Sequence, residues 1–145
     1  GGEWRQDAGT RGKARAGGPI ALVFYRGHWC PYCMKQLKEL NEVAVPAARA
    51  AKVPLVVLSV DSPEESEATR VKFGFQFPML SIGVDALQAY NIVHTVDMKA
   101  HPVIAHPGVF VVGADGKLTY AFADKNFRNR APAADVVAAI EVLKR

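Results

Sequence analysis

Apolar positions along the chain fall into short runs whose spacing alternates between two periods. Ile20–Tyr25 is a continuous apolar run bounded by Gly18-Pro19 and Gly27, the pattern of a buried strand. From Pro31 to Ala51 the period changes. Leu37, Leu40, Ala44, Ala47 and Ala51 recur at three- and four-residue steps, while Lys35, Lys38, Glu39 and Glu42 fall off that stripe. This predicts a helix with one apolar face, and Pro46 inside it predicts a kink. Pro54–Val60, rich in Val and Leu, is a second buried strand. Strand, helix and strand in this order form a βαβ unit with parallel strands.

Ser62-Pro63-Glu64-Glu65 has the form of a helix start. Ser62 can cap, Pro63 suits the first helical position and Glu65 can complete a capping box. This helix is predicted to end near Gly74. Pro78–Ile82 is predicted as a short strand and Val84–Tyr90 as a short helix. Residues 91–106 follow neither period, contain Pro102 and three of the four histidines, and are assigned to an excursion loop. Val109–Val112 and Leu118–Phe122 form a hairpin whose turn, Ala114-Asp115-Gly116-Lys117, carries an Asp-Gly signal. A last helix begins near Pro132, with Val136, Val137, Ile140 and Leu143 on one face. The fold class is therefore α/β, a mixed central sheet with helices on both faces.

Composition adds limits. The 145 residues, half of them hydrophobic, suit one domain with an ordinary core, taken as residues 19–145. Residues 1–18 are polar and Gly-rich, and are expected to be a flexible lead-in. They lack the apolar centre of a secretory signal, so a cytoplasmic location is expected. The chain opens Gly-Gly rather than Met, as a shortened or processed product does. No apolar run approaches the roughly 20 residues that span a bilayer, so no membrane partner is expected. The net charge of +4 is scattered rather than gathered with aromatics along one face, which argues against nucleic acid.

There are two cysteines, Cys30 and Cys33. A pair this close encloses almost no loop, so as a staple it would stabilise little. Its position favours chemistry. The cysteines follow the first strand and open the first helix, where unpaired N–H groups and the helix dipole favour a thiolate. Cys30 would attack a disulfide and Cys33, one turn on, would resolve the mixed disulfide. Cys30-x-x-Cys33 with His101 and His106 copies a zinc pattern superficially, but 67 residues separate Cys33 from His101. Neither a metal nor a cofactor is expected.

The segment Phe24-Tyr25-Arg26-Gly27-His28-Trp29-Cys30-Pro31-Tyr32-Cys33 resembles the peroxiredoxin-like branch of the alkyl hydroperoxide reductase/thiol-specific antioxidant family, within the thioredoxin superfamily. Val57–Ser62, Phe77–Ser81 and His106–Val112 support the resemblance, which runs from about Ile20 onwards. It implies a thioredoxin-like fold. It also implies that Pro107 takes the place of a cis-proline facing the cysteines and shapes a substrate groove. The plainer alternative is a trans-proline opening a strand. Two departures bear on peroxidase chemistry. Family members place a Thr three residues before the peroxidatic cysteine and an Arg on the facing strand. Here the Thr position holds Cys30 or Gly27, depending on which cysteine is matched, and Pro107 stands where the Arg belongs. The buried strand Asp of thioredoxin corresponds to Phe24, leaving His28 as the nearest titratable group.

The resulting expectation is a thiol–disulfide oxidoreductase with an antioxidant role. Its runner-up is a thiol-dependent hydroperoxide reductase, and a non-enzymatic redox-sensing module is a third reading. Partners would be protein or small-molecule disulfides or hydroperoxides and an external thiol reductant; the sequence sets no oligomeric state. Around the catalytic pair, Trp29 is assigned to packing and the substrate surface, and Pro31 and Tyr32 to tuning. His28 is either a proton partner of Cys30 or an exposed loop histidine. Arg26 is either a thiolate-stabilising cation or a solvated charge. Asp124–Arg130, rich in charge and Asn, either borders the site or is a solvated turn.

Overall fold

The computed structural model describes residues 18–83, 85, 93–95, 103–105, 107–124, 126 and 128–143. Five strands build the main sheet: β1 Ile20–Phe24, β2 Leu55–Ser59, β3 Met79–Ser81, β6 Gly108–Val112 and β7 Leu118–Ala123. Their order is β3-β2-β1-β6-β7. β1 runs parallel to β2, and β2 to β3. β6 is antiparallel to both β1 and β7, so the sheet is mixed as expected.

Strand alternation divides the sheet into two apolar faces. Ala21, Val23, Leu55, Val57, Val109 and Val111 face one way. Ile20, Leu22, Phe24, Val56, Leu58, Phe110 and Val112 face the other. The first face carries helix α1, Pro31–Ala51, through Leu37, Leu40, Ala44 and Ala48, and helix α3, Ala133–Glu141, through Val136 and Ile140. On the second face Phe24 and Phe110 meet edge to face at 5.8 Å, and Ile82 and Ala105 join them. Helix α2, Pro63–Phe73, lies along β3.

Most boundaries follow from local chemistry. α1 spans the residues predicted for it and continues through the exposed Pro46. Its buried stripe includes Val45 and Ala48, while Ala47 is half-buried. At α2 the Ser62 hydroxyl accepts from the Glu65 N–H at 3.0 Å, and Glu65 Oε1 accepts from the Ser62 N–H at 2.9 Å. Gly74 ends that helix at φ 66°, a left-handed conformation that glycine adopts without strain. The hairpin turn closes through Gly116 at φ 82°, with Asp115 Oδ1 accepting from the Lys117 N–H.

One expectation is corrected. The stretch 91–106 is not a plain loop: β4 Val93–Thr95 and β5 Val103–Ala105 pair antiparallel as a separate two-stranded sheet. Its strands are three residues each, too short to show a period of two. Of the helix expected over 84–90 all but Asp85 lies outside the described residues, and of the lead-in expected over 1–18 all but Gly18 does.

Candidate active site

The site grows from the turn that joins β1 to α1. Gly27 leaves room for the Trp29 indole: a Cβ added at Gly27 would lie 2.7 Å from the indole Cε2. The Arg26 guanidinium covers the other part of this arrangement, 5.3 Å from the Trp29 ring centroid. The turn is anchored by Asp61, a fully buried carboxylate just past β2. Its Oδ2 accepts from the His28 backbone N–H at 2.8 Å and lies 3.0 Å from His28 Nδ1. The Tyr25 hydroxyl donates to the same oxygen at 3.5 Å, and burial holds that phenol protonated, its pKa pushed well up.

The Cys30 N–H then donates to the Gly27 carbonyl at 3.1 Å, and Cys30 occupies the N-cap of α1 with Pro31 in the first turn. Cys30 exposes 1% of its surface, and Cys33 is fully buried. Both thiols are free. The Arg26 backbone N–H donates to Cys33 Sγ at 3.4 Å. From a segment distant in sequence, just before α3, comes Arg130, whose Nη2 lies 3.7 Å from Cys30 Sγ and 3.4 Å from Cys33 Sγ. Its Nη1 donates to Gln36 Oε1 at 3.3 Å, fixing the fork against α1.

These surroundings separate the two acidities. The Cys30 pKa drops from 9.0 to about 5. The Cys33 thiol contributes most by donating to the Cys30 thiolate; the Cys33 backbone N–H, the Arg130 charge and the Arg26 side chain add to it, against the opposing effect of burial. Cys33 moves the other way, because its proton is held by Cys30 and its sulfur is buried. The arrangement favours a thiolate on Cys30 with a protonated thiol beside it.

The structure thus gathers Cys30, Cys33 and Arg26, with Trp29 packed beside them. Pro31 and Tyr32 form the exposed first turn, and Tyr32 is 43% exposed with Arg128 over its ring at 5.9 Å. His28 is 39% exposed and its Nδ1 is turned to Asp61. Pro107 is buried and directly precedes β6. Since Gly108 pairs with Phe24, it lies at the strand end from which the cysteine turn departs. The isomer of the His106–Pro107 bond involves His106, outside the described residues. His28 Nδ1 and carboxylate oxygens of Asp61 and Glu65 lie within 4.8 Å of one another, but Asp61 Oδ2 and Glu65 Oε1 already accept hydrogen bonds. That trio ties the turn to the start of α2, and neither cysteine belongs to it. His101 and His106 lie outside the described residues.

Two site residues escaped the sequence. Arg130 ends a segment read equally well as a solvated turn; its only local signal is a position just before the last helix. Asp61 had the sharper one, a carboxylate at the end of a continuous buried strand, where a charge needs partners.

A cysteine at a helix N-terminus, a second thiol one turn inward and a mixed sheet behind them define a thioredoxin-fold protein with a two-cysteine centre. The family model described as the AhpC/TSA family matches residues 6–121, and the chain belongs to that family. Solved structures agree on the fold. Peroxiredoxin Q of Xanthomonas campestris superposes with a TM-score of 0.73 at 21% identity, covering 92% of this chain and 84% of its own. Peroxidoxin BcpB of Mycobacterium tuberculosis gives 0.72 at 17%, with 92% and 84% covered. A peroxiredoxin-like protein of Aquifex aeolicus gives 0.72 at 17%, with 88% and 72% covered. No curated protein matches the sequence.

Proposed function

We propose that residues 19–145 form a thiol-dependent antioxidant oxidoreductase that cycles Cys30 and Cys33 between dithiol and disulfide. The observation that carries this reading is the geometry of the pair: Cys30 sits at the N-cap of α1, Cys33 lies buried one turn on, and one guanidinium reaches both sulfurs. The Cys30 thiolate attacks one sulfur of a substrate disulfide and the other sulfur leaves as a thiol. Cys33 gives up its proton and attacks Cys30 Sγ, releasing the second thiol and closing the Cys30–Cys33 disulfide. An external thiol reductant restores the pair. Arg26 and Arg130 hold negative charge on sulfur at each stage, Trp29 and Tyr32 border the approach, and Pro107 shapes the groove wall. Replacing Cys30 with Ser tests the roles: reduction of a disulfide substrate should be lost, and undiminished reduction would overturn the assignment.

Peroxide reduction is the second reading, and Arg130 favours it. The cation absent from the facing strand is supplied by another segment, 3.7 Å from Cys30 Sγ. Family membership and the described alkyl peroxide reduction of the Xanthomonas campestris bacterioferritin comigratory protein point the same way. In that reaction the Cys30 thiolate attacks the terminal peroxide oxygen, the O–O bond breaks and the leaving alkoxide or hydroxide takes a proton. Cys33 then displaces water from the Cys30 sulfenic acid. Stopped-flow oxidation by hydrogen peroxide separates the readings: a rate no faster than that of a free thiol excludes peroxidase activity.

A further inference from the structure

A concave cleft of about 310 Å3 lies between the first two turns of α1 and the segment leading into α3. Its size is at the lower end of the roughly 300–1,000 Å3 that holds small-molecule ligands. Lys35, Arg128 and Arg130 line it against one carboxylate, Glu39. Tyr32, the residue between the cysteines, forms one wall with Arg128 over its ring, and Gln36 is held by Arg130. Neither cysteine lines the cleft, but Arg130, part of its wall, also reaches both sulfurs, so the cleft adjoins the redox pair.

We infer that this cleft binds a low-molecular-weight thiol bearing carboxylates, which serves as the external reductant. The inference rests on the dithiol cycle proposed above. Two features choose this ligand. An excess of guanidinium and ammonium groups matches carboxylates, which arginine binds in a forked geometry. Cys30, exposing 1% of its surface, is reached by a sulfur on a slender carrier rather than on a broad protein face. The thiolate of the ligand attacks Cys30 Sγ, the Cys30–Cys33 bond breaks and Cys33 leaves and takes a proton. A second ligand thiolate attacks the ligand sulfur of the mixed disulfide and releases Cys30. Two thiols are oxidised to one small disulfide while the protein disulfide gains two electrons, Cys33 taking up one proton and Cys30 leaving as the thiolate.

The test follows reduction of the oxidised full chain by glutathione and by uncharged 2-mercaptoethanol, in the wild type and in the Lys35→Glu/Arg128→Glu double variant. Both substituted positions are exposed, and an unchanged thermal midpoint shows that the variant is folded. Glutathione should show saturation, with the half-saturating concentration raised about tenfold or more in the variant. The 2-mercaptoethanol rate should stay within about twofold, since that thiol carries no charge to pair. Equal effects on both thiols, or none on either, would overturn the inference. S-methylglutathione, which cannot react, supplies an arm independent of turnover. Its binding should perturb the NMR signals of residues 32–39 in the wild type and fail to do so in the variant. Absence of wild-type binding, with reduction by a dithiol protein alone, would transfer the reductant's role to a protein partner. No reduction by any thiol, with S-methylglutathione still bound, would sink the redox cycle and leave the cleft standing.

Discussion

Cys30 and Cys33 carry the same side chain three positions apart, and only their neighbours distinguish them. Cys30 accepts hydrogen bonds from the Cys33 thiol and backbone N–H and is favoured by two guanidinium groups, whereas Cys33 keeps its proton and sits deeper. With the Cys30 pKa lowered to about 5, its thiolate predominates at neutral pH and is lost as pH falls through that value. Alkylation of the reduced protein by iodoacetamide should therefore follow a pH profile with its midpoint near 5, and mass spectrometry should find Cys30 labelled first. Arg130→Met removes one of the stabilising charges, so the midpoint should move upwards. An unmoved midpoint would show that the thiol, the N–H groups and Arg26 suffice.

Local chemistry wrote the elements plainly in the sequence. β1 is a run of apolar residues because both its faces are covered, and α1 announces itself by a change of period immediately after the cysteines. The capping box of α2 needs only four adjacent residues, so it was readable without knowledge of the fold. Ser62→Ala removes the hydroxyl that accepts from the Glu65 N–H; it should cost about 1 kcal/mol, read as a lower urea midpoint with unchanged slope. The site was half legible for the same reason. Cys30, Cys33, Arg26 and Trp29 come from one continuous segment. Arg130 comes to the cysteines from 97 residues further along the chain, and no local pattern distinguishes such an arginine from one in a solvated turn. Asp61 and His28 likewise meet only because β2 pairs beside β1.

At the scale of the molecule, the environment of Cys30 biases the redox equilibrium. Whatever stabilises the thiolate stabilises the reduced protein, so the disulfide becomes the more oxidising partner. The reduction potential should lie above the roughly −270 mV of thioredoxin, measured by equilibration in glutathione buffers. Arg130→Met should lower it. The mixed sheet sets the stage for this by ending β1 and beginning β6 at the same edge, with the cysteine turn and Pro107 on neighbouring strands.

Arg130 also sets when the charge environment of Cys30 is complete. It lies 100 residues beyond Cys30 and 97 beyond Cys33, and it is held by the docking of the segment before α3 against α1. During synthesis the cysteines emerge first and this cation follows 100 residues after Cys30, at roughly 5–20 residues per second. For several seconds the nascent chain carries two thiols without one of the charges that makes Cys30 acidic. Arrival of Arg130 thus also completes the charge environment of Cys30, and a chain stalled before that residue should hold a less acidic Cys30.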